Sequence, residues 1–95
     1  MSKYYIVINE WNYPTNSGRE IISDYDTLRE ARKVAKKEYL DEYDNFLDNT
    51  KGKIFNAESG LVFNLKDCVE CYQLVSSSHD ETPFFFRSII LEREF

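Results

Sequence analysis

Apolar positions recur with two different periods along this chain. From Lys3 to Trp11 the segment KYYIVINEW is rich in β-branched and aromatic residues and predicts a strand. NYPTNSGRE (12–20) then gathers Pro14, Asn16, Ser17 and Gly18, a turn composition. EIISDY (20–25) predicts a second short strand, so residues 3–25 read as a hairpin. After it the period lengthens: Leu28, Ala31, Ala35, Tyr39, Tyr43 and Phe46 recur at steps of three or four, the stripe of an amphipathic helix. Asp24, Asp26 and Thr27 are candidate N-caps, and Thr27-Leu-Arg-Glu30 fits the capping box. Asn49, Thr50 and Gly52 end the pattern, giving about 22 residues, or roughly 33 Å of helix.

The second half of the chain is less regular. KIFNAESGLVFNLK (53–66) reads as two short strands around Asn-Ala-Glu-Ser-Gly. CYQLVSSS (71–78) and PFFFRSIILERE (83–94) flank the polar HDET and read as a closing hairpin. The expected fold is α+β: a largely antiparallel sheet packed on one long amphipathic helix, in the order β-β-α-β-β, with room for an extra short hairpin at 53–66. No repeat or boundary divides it, so residues 1–95 form a single domain.

A sheet with one wet face alternates apolar and polar residues, and these strands do not. Tyr4, Ile6 and Ile8 fall on one parity, and Tyr5, Val7, Trp11 and Tyr13 on the other. In the last strand Phe84, Phe86 and Ile90 oppose Phe85, Ile89, Leu91 and Phe95. One helix covers one face. The second is expected either to pair with another copy in a homodimer or to lie beneath loops 12–20 and 53–66.

Charge narrows the partners. Seventeen acids against 12 bases give a net charge of −5, which argues against direct nucleic-acid binding. The longest apolar runs, such as YYIVI, are far below the ~20 residues a membrane span needs. The opening MSKYYIVINEW lacks the pattern of a signal peptide. A cytoplasmic protein with reduced thiols is expected.

The charges of the helix run against its dipole. Arg29, Arg32, Lys33, Lys36 and Lys37 occupy its front half, and Glu38, Asp41, Glu42, Asp44 and Asp48 its rear. Each misplaced charge near a terminus costs roughly 0.3–1 kcal/mol when unscreened. The like-charged i,i+4 pairs Arg29/Lys33, Arg32/Lys36, Lys33/Lys37 and Glu38/Glu42 add to the loss. Two readings stand: a solvated face with no role, or an acidic surface for a basic partner. On the second, Glu38, Asp41, Glu42, Asp44 and Asp48 are the contact charges, with Tyr39 and Tyr43 beside them.

Candidate chemistry is sparse. Cys68-Val-Glu-Cys71 has the spacing of a zinc half-site or a redox pair, but with His79 the chain holds only three soft ligands. Residues three apart in a regular strand also point to opposite faces, so plain thiols are the simpler reading. Ser78-His79-Asp80 are neighbours in a loop rather than converging triad members. Gly18, Gly52 and Gly60 form no phosphate loop. Trp11 and Tyr13 beside the 14–18 turn are either hairpin packing or a recognition tip. No catalytic residue and no cofactor are expected.

The run IISDYDTLREARKVAKKEYLDEY (21–43) resembles the strand-to-helix passage of HicB-type antitoxin domains, where an acidic turn and a Thr-Leu-acid-Glu-Ala pattern open the helix. The resemblance implies a module that neutralises a small toxin. The Pro-Gly-Cys-type turn of those domains is missing, and no DNA-binding segment follows. In general character the chain also resembles the small acidic proteins that phages direct against host defences, anti-CRISPR proteins among them. The leading expectation is a non-enzymatic inhibitor that mimics nucleic acid and binds a nuclease or other nucleic-acid-handling protein. The alternatives are a HicB-like antitoxin and a small metal-binding protein using Cys68 and Cys71.

Overall fold

A computed structural model describes residues 2–13, 16–49, 56–60, 68–75 and 84–95, with Asn49 and 56–60 as backbone alone. Strands β1 (Lys3–Asn12) and β2 (Ser17–Tyr25) precede helix α1 (Leu28–Asn49). Strands β3 (Asn56–Gly60), β4 (Cys68–Val75) and β5 (Phe85–Glu94) follow it. All neighbours pair antiparallel in one sheet of order β2-β1-β5-β4-β3, so the chain's last strand runs through the middle beside its first. This is the expected α+β fold.

The 53–66 segment departs from expectation in one respect. Asn-Ala-Glu-Ser-Gly, read from sequence as a turn, is itself the edge strand β3, paired from Asn56↔Val75 to Gly60↔Cys71. Residues 53–55 and 61–66, where its flanking strands were expected, lie outside the described residues. Turn-forming composition is a weak local preference, and a neighbouring strand offering a free ladder overrides it.

Strand parity is as expected. Val7 and Ile90 lie under α1 with Ala31, Ala35 and Tyr72, and Tyr5, Ile22, Leu28 and Val34 pack around them. A second cluster joins Tyr13, Leu74 and Phe86 to Phe46 near the end of the helix, with Trp11 beside it. Ala31 and Ala35 are fully buried, and their small side chains let the helix approach the sheet closely. Thr27 caps α1: its hydroxyl accepts from the Glu30 amide at 3.2 Å, as the capping-box pattern requires.

The opposite face carries Ile8, Cys71, Ile89 and Leu91, with Ile6 and Cys68 against them. Within a single chain the four are already buried. Among the described residues the large apolar side chains left in solvent here are Ile21 and Phe95 at the margins, 68% and 79% exposed.

Two bulges adjust the parity. β2 holds one residue more than β1 opposite Val7/Ile8, which lets Ile22 join the helix side while Ile21 points away. β4 does the same between Cys68 and Glu70, so Val69 packs toward the helix. The second bulge also corrects the view that residues 68 and 71 must face opposite ways: both thiols join the far-side cluster.

At the β1–β2 turn Trp11 stands opposite Gly18, and a Cβ built on Gly18 would lie 2.6 Å from the indole. Gly18→Ala is therefore expected to displace Trp11 and to destabilise the fold by about 1–3 kcal/mol in urea unfolding. Phe46→Ala, which empties a fully buried site, should cost about 3–5 kcal/mol in the same assay.

Candidate functional site

The hydrophobic stripe predicted along α1 ran through Tyr39, Tyr43 and Phe46. At 100° per residue, however, the position facing the sheet between Ala35 and Phe46 is 42 rather than 43. Tyr43 consequently turns outward and is 38% exposed. Glu42 turns inward and is held there: the hydroxyl of buried Tyr13 and the Asn45 amide both donate to its Oε1. Tyr39 is also drawn into the core, its ring 6.1 Å from that of Tyr72.

A groove of about 470 Å³ opens between this part of α1 and the β1–β2 hairpin. Glu38 and Glu42 line it from the helix and Glu20 from β2. Trp11, Tyr13 and Phe86 form its aromatic part, and Asn9, Asn16 and Asn45 complete the lining. Three of the side-chain donors are committed. The Trp11 indole N–H donates to Asn16 Oδ1 at 2.8 Å, and Tyr13 and Asn45 serve Glu42. The Tyr13 amide closes the turn by donating to the Asn16 carbonyl at 2.7 Å.

Acceptors are left over. Asn9 is 5% exposed, and its Oδ1 has no hydrogen-bond partner. Across the ladder its neighbour Ser88 is fully buried with Oγ likewise unsatisfied. Buried polar atoms of this kind are uncommon and call for a physical account.

The expected contact residues thus divide. Glu38 and Glu42 belong to the groove, while Asp41, Asp44 and Asp48 stand in solvent on the outer side, with Leu40 56% exposed among them. Asp41 meets Lys37 at 3.2 Å, an exposed i,i+4 pair. Glu38, Asp44 and Asp48 make no ion pair among the described residues.

The basic half of the helix turns to the sheet at one point. Arg32 Nε donates to Glu70 Oε1 at 2.5 Å, and the Tyr72 hydroxyl donates to Oε2 at 3.0 Å. Cys68 and Cys71 are not joined by a disulfide, and Cys68 Sγ donates to the Glu70 carbonyl at 3.3 Å. Burial pushes the Cys68 thiol pKa up, the opposite of what a reactive thiolate or metal ligand needs. No cluster of three or more metal-ligating side chains occurs among the described residues, and His79 lies outside them. Likewise, no helix among the described residues is long and apolar enough to cross a membrane.

Sequence reasoning named Glu38 and Glu42 as contact charges of an acidic surface and did not single out Glu20 or the core-layer pair Asn9 and Ser88. The signal for the last two was available. Asn9 shares the parity of Tyr5, Val7 and Trp11, and Ser88 that of Phe86 and Ile90, so each is a polar residue in a core layer.

No protein-family model, curated protein or solved structure matches the chain.

Burial raises the pKa of Tyr13 well above the ordinary 10.0, and its hydrogen bond to Glu42 adds to the effect. Burial likewise raises Tyr39 and Tyr72. A phenol whose folded pKa is raised binds its proton more tightly when folded, so its contribution is intact below about pH 10 and falls above it. Urea midpoints should therefore begin to fall near pH 9, where the raised Cys68 thiol enters the same regime, and drop further as pH passes 10, with a slope of up to about 1.4 kcal/mol per pH unit for each such proton. Tyr13→Phe should make that drop shallower.

Proposed function

We propose that this chain is a protein-binding module whose partner is a basic surface of the kind that grips nucleic acid, and that it acts by occupying that surface. The observation that carries this reading is the rear half of α1. Residues 38–48 hold five carboxylates and no base, over roughly 16 Å of helix, or about one negative charge per 3 Å. A single DNA strand carries one per ~3.4 Å. Asp41, Asp44 and Asp48 present outward beside exposed Leu40 and Tyr43, which joins charge to apolar contact area on one rigid element. Glu38 and Glu42 extend the negative potential around to the groove, where Glu20 reinforces it. In its concrete form the module inhibits a nuclease or another nucleic-acid-handling protein, without catalysis.

The triple variant Asp41→Lys, Asp44→Lys, Asp48→Lys tests this, since none of the three side chains is part of the core. Immobilised wild-type chain is expected to retain a basic protein from its native cell extract, and added duplex DNA should displace that protein. The triple variant, with an unchanged circular-dichroism spectrum, should lose retention by at least about tenfold, reflecting several lost charge contacts of ~0.5 kcal/mol or more each. Retention that survives the reversal, or that DNA does not compete, overturns the proposal.

A further inference from the structure

We propose that the groove between the β1–β2 hairpin and the rear of α1 is a binding site for a guanidinium group, the head of an arginine side chain on the partner protein. The assignment of a protein source rests on the function proposed above; the assignment of the guanidinium rests on the groove itself.

Three observations converge there. The first is charge: Glu20 on β2 and Glu38 and Glu42 on α1 bring carboxylates to the groove from opposite walls, with no basic side chain among the described residues of the lining. The second is an imbalance of hydrogen-bonding capacity. The Trp11 indole and the Tyr13 hydroxyl already donate within the site, whereas Asn9, a lining residue only 5% exposed, keeps its Oδ1 buried and without a hydrogen-bond partner. An asparagine's terminal torsion is soft, so this oxygen can turn to meet a donor that enters. The third is shape: about 470 Å³, open on one side and partly aromatic, accommodates a flat head and an alkyl stem.

A site lined by three carboxylates and an unpaired buried amide oxygen, with its indole and phenol donors already used, favours a ligand made of donors. A bare metal ion fits poorly, because no three ligating side chains among the described residues come together around one point. Guanidinium fits well. It offers five N–H donors in a fixed planar fork, pairs bidentately with carboxylates and stacks on aromatic rings. An ammonium has three donors around a point and a stronger hold on its water, so it cannot reach both walls and the floor together.

Trp11 is the chain's only tryptophan, and it lines the groove, so its emission and its indole N–H resonance report occupancy directly. The experiment titrates the purified chain with acetyl-glycyl-arginyl-glycinamide and its lysyl and citrullyl counterparts, and with agmatine, a guanidinium without a peptide. A saturable change with the arginyl peptide is expected, with Kd of roughly millimolar or tighter. The neutral citrullyl peptide should give none, and the lysyl peptide and agmatine should each bind at least about fivefold more weakly.

The double variant Glu20→Gln, Glu38→Gln should weaken arginyl binding about tenfold or more. Glu94→Gln, at the exposed end of β5, should leave it unchanged. Asn9→Leu should abolish binding while raising Tm by a few degrees, because it replaces a buried unpaired acceptor with an apolar side chain.

Equal response to the lysyl peptide overturns the guanidinium in favour of general attraction to negative charge. Equal response to agmatine overturns the protein source in favour of a small molecule. No saturable change, or one that survives the Glu20/Glu38 variant, overturns the site. Each of these leaves the outer-face test standing, because charge reversal at Asp41, Asp44 and Asp48 does not touch the groove. Failure of that test alone would remove the proposed partner and keep the groove.

Discussion

The rotational setting of α1 on the sheet is the constraint from which the rest follows. Ala31 and Ala35 lie against Val7 and Ile90, and once those contacts fix the helix about its own axis, every later position is assigned to a side. Position 42 is turned inward, and it carries a carboxylate. An acid pressed between helix and sheet is costly unless hydrogen-bonded, and Tyr13 and Asn45 supply those bonds. The same rotation sends Asp41, Asp44 and Asp48 outward. One packing contact near the front of the helix thereby splits the acidic half into an inward pair and an outward row.

Much of the fold was legible in the sequence because two simple periods carry it. Parity in KYYIVINEW set Val7 apart from Ile6 and Ile8, parity in the closing strand set Phe86 and Ile90 apart from Ile89 and Leu91, and Thr27-Leu-Arg-Glu30 marked the start of α1. Two of the failures share a cause: each turned on a single residue of phase. A stripe counted at steps of four drifts from the true 3.6, and by the third turn it had chosen Tyr43 over Glu42. Each bulge inserts one residue, and a period-two pattern has no way of announcing where. That is why Cys68 and Cys71 share a face that regular alternation denies them. Asn-Ala-Glu-Ser-Gly became a strand because β4 offered it an unfilled edge, a fact of tertiary structure.

The groove itself was not legible in the sequence. Its helix wall came from the acidic run, but Glu20 sits in a different element and nothing local ties it to Glu38. Only the folded hairpin brings them to one place. The reversed charge order of α1 also becomes clearer in three dimensions. Its basic front half has a structural use: Arg32 neutralises Glu70, a largely buried carboxylate on β4 that also holds the Tyr72 hydroxyl. Its acidic rear half has fewer such ties. Beyond Glu42, the one pairing it makes with a described base is the exposed Lys37–Asp41 bridge, and contacts of that sort contribute little. The opposition to the helix dipole is thus compensated at the front and largely uncompensated at the rear.

Asn9 and Ser88 sharpen the point. They stand side by side across the β1–β5 ladder, in the layer that Val7, Ile90 and Phe86 otherwise fill with apolar atoms. Both side-chain oxygens lack partners, and an unsatisfied buried acceptor costs about 1–3 kcal/mol. A valine or isoleucine at either position would complete the layer and remove that cost, so packing alone gives no reason for the polar pair. Donors brought by an occupant of the groove would change the balance, turning the Asn9 oxygen from a liability of the empty fold into a contact of the filled one. On this view the chain forgoes some stability at the centre of its sheet and recovers it when the groove is occupied. The same trade accounts for the acid at position 42, where a leucine would have packed without help from Tyr13 but would have given a cation nothing to bind.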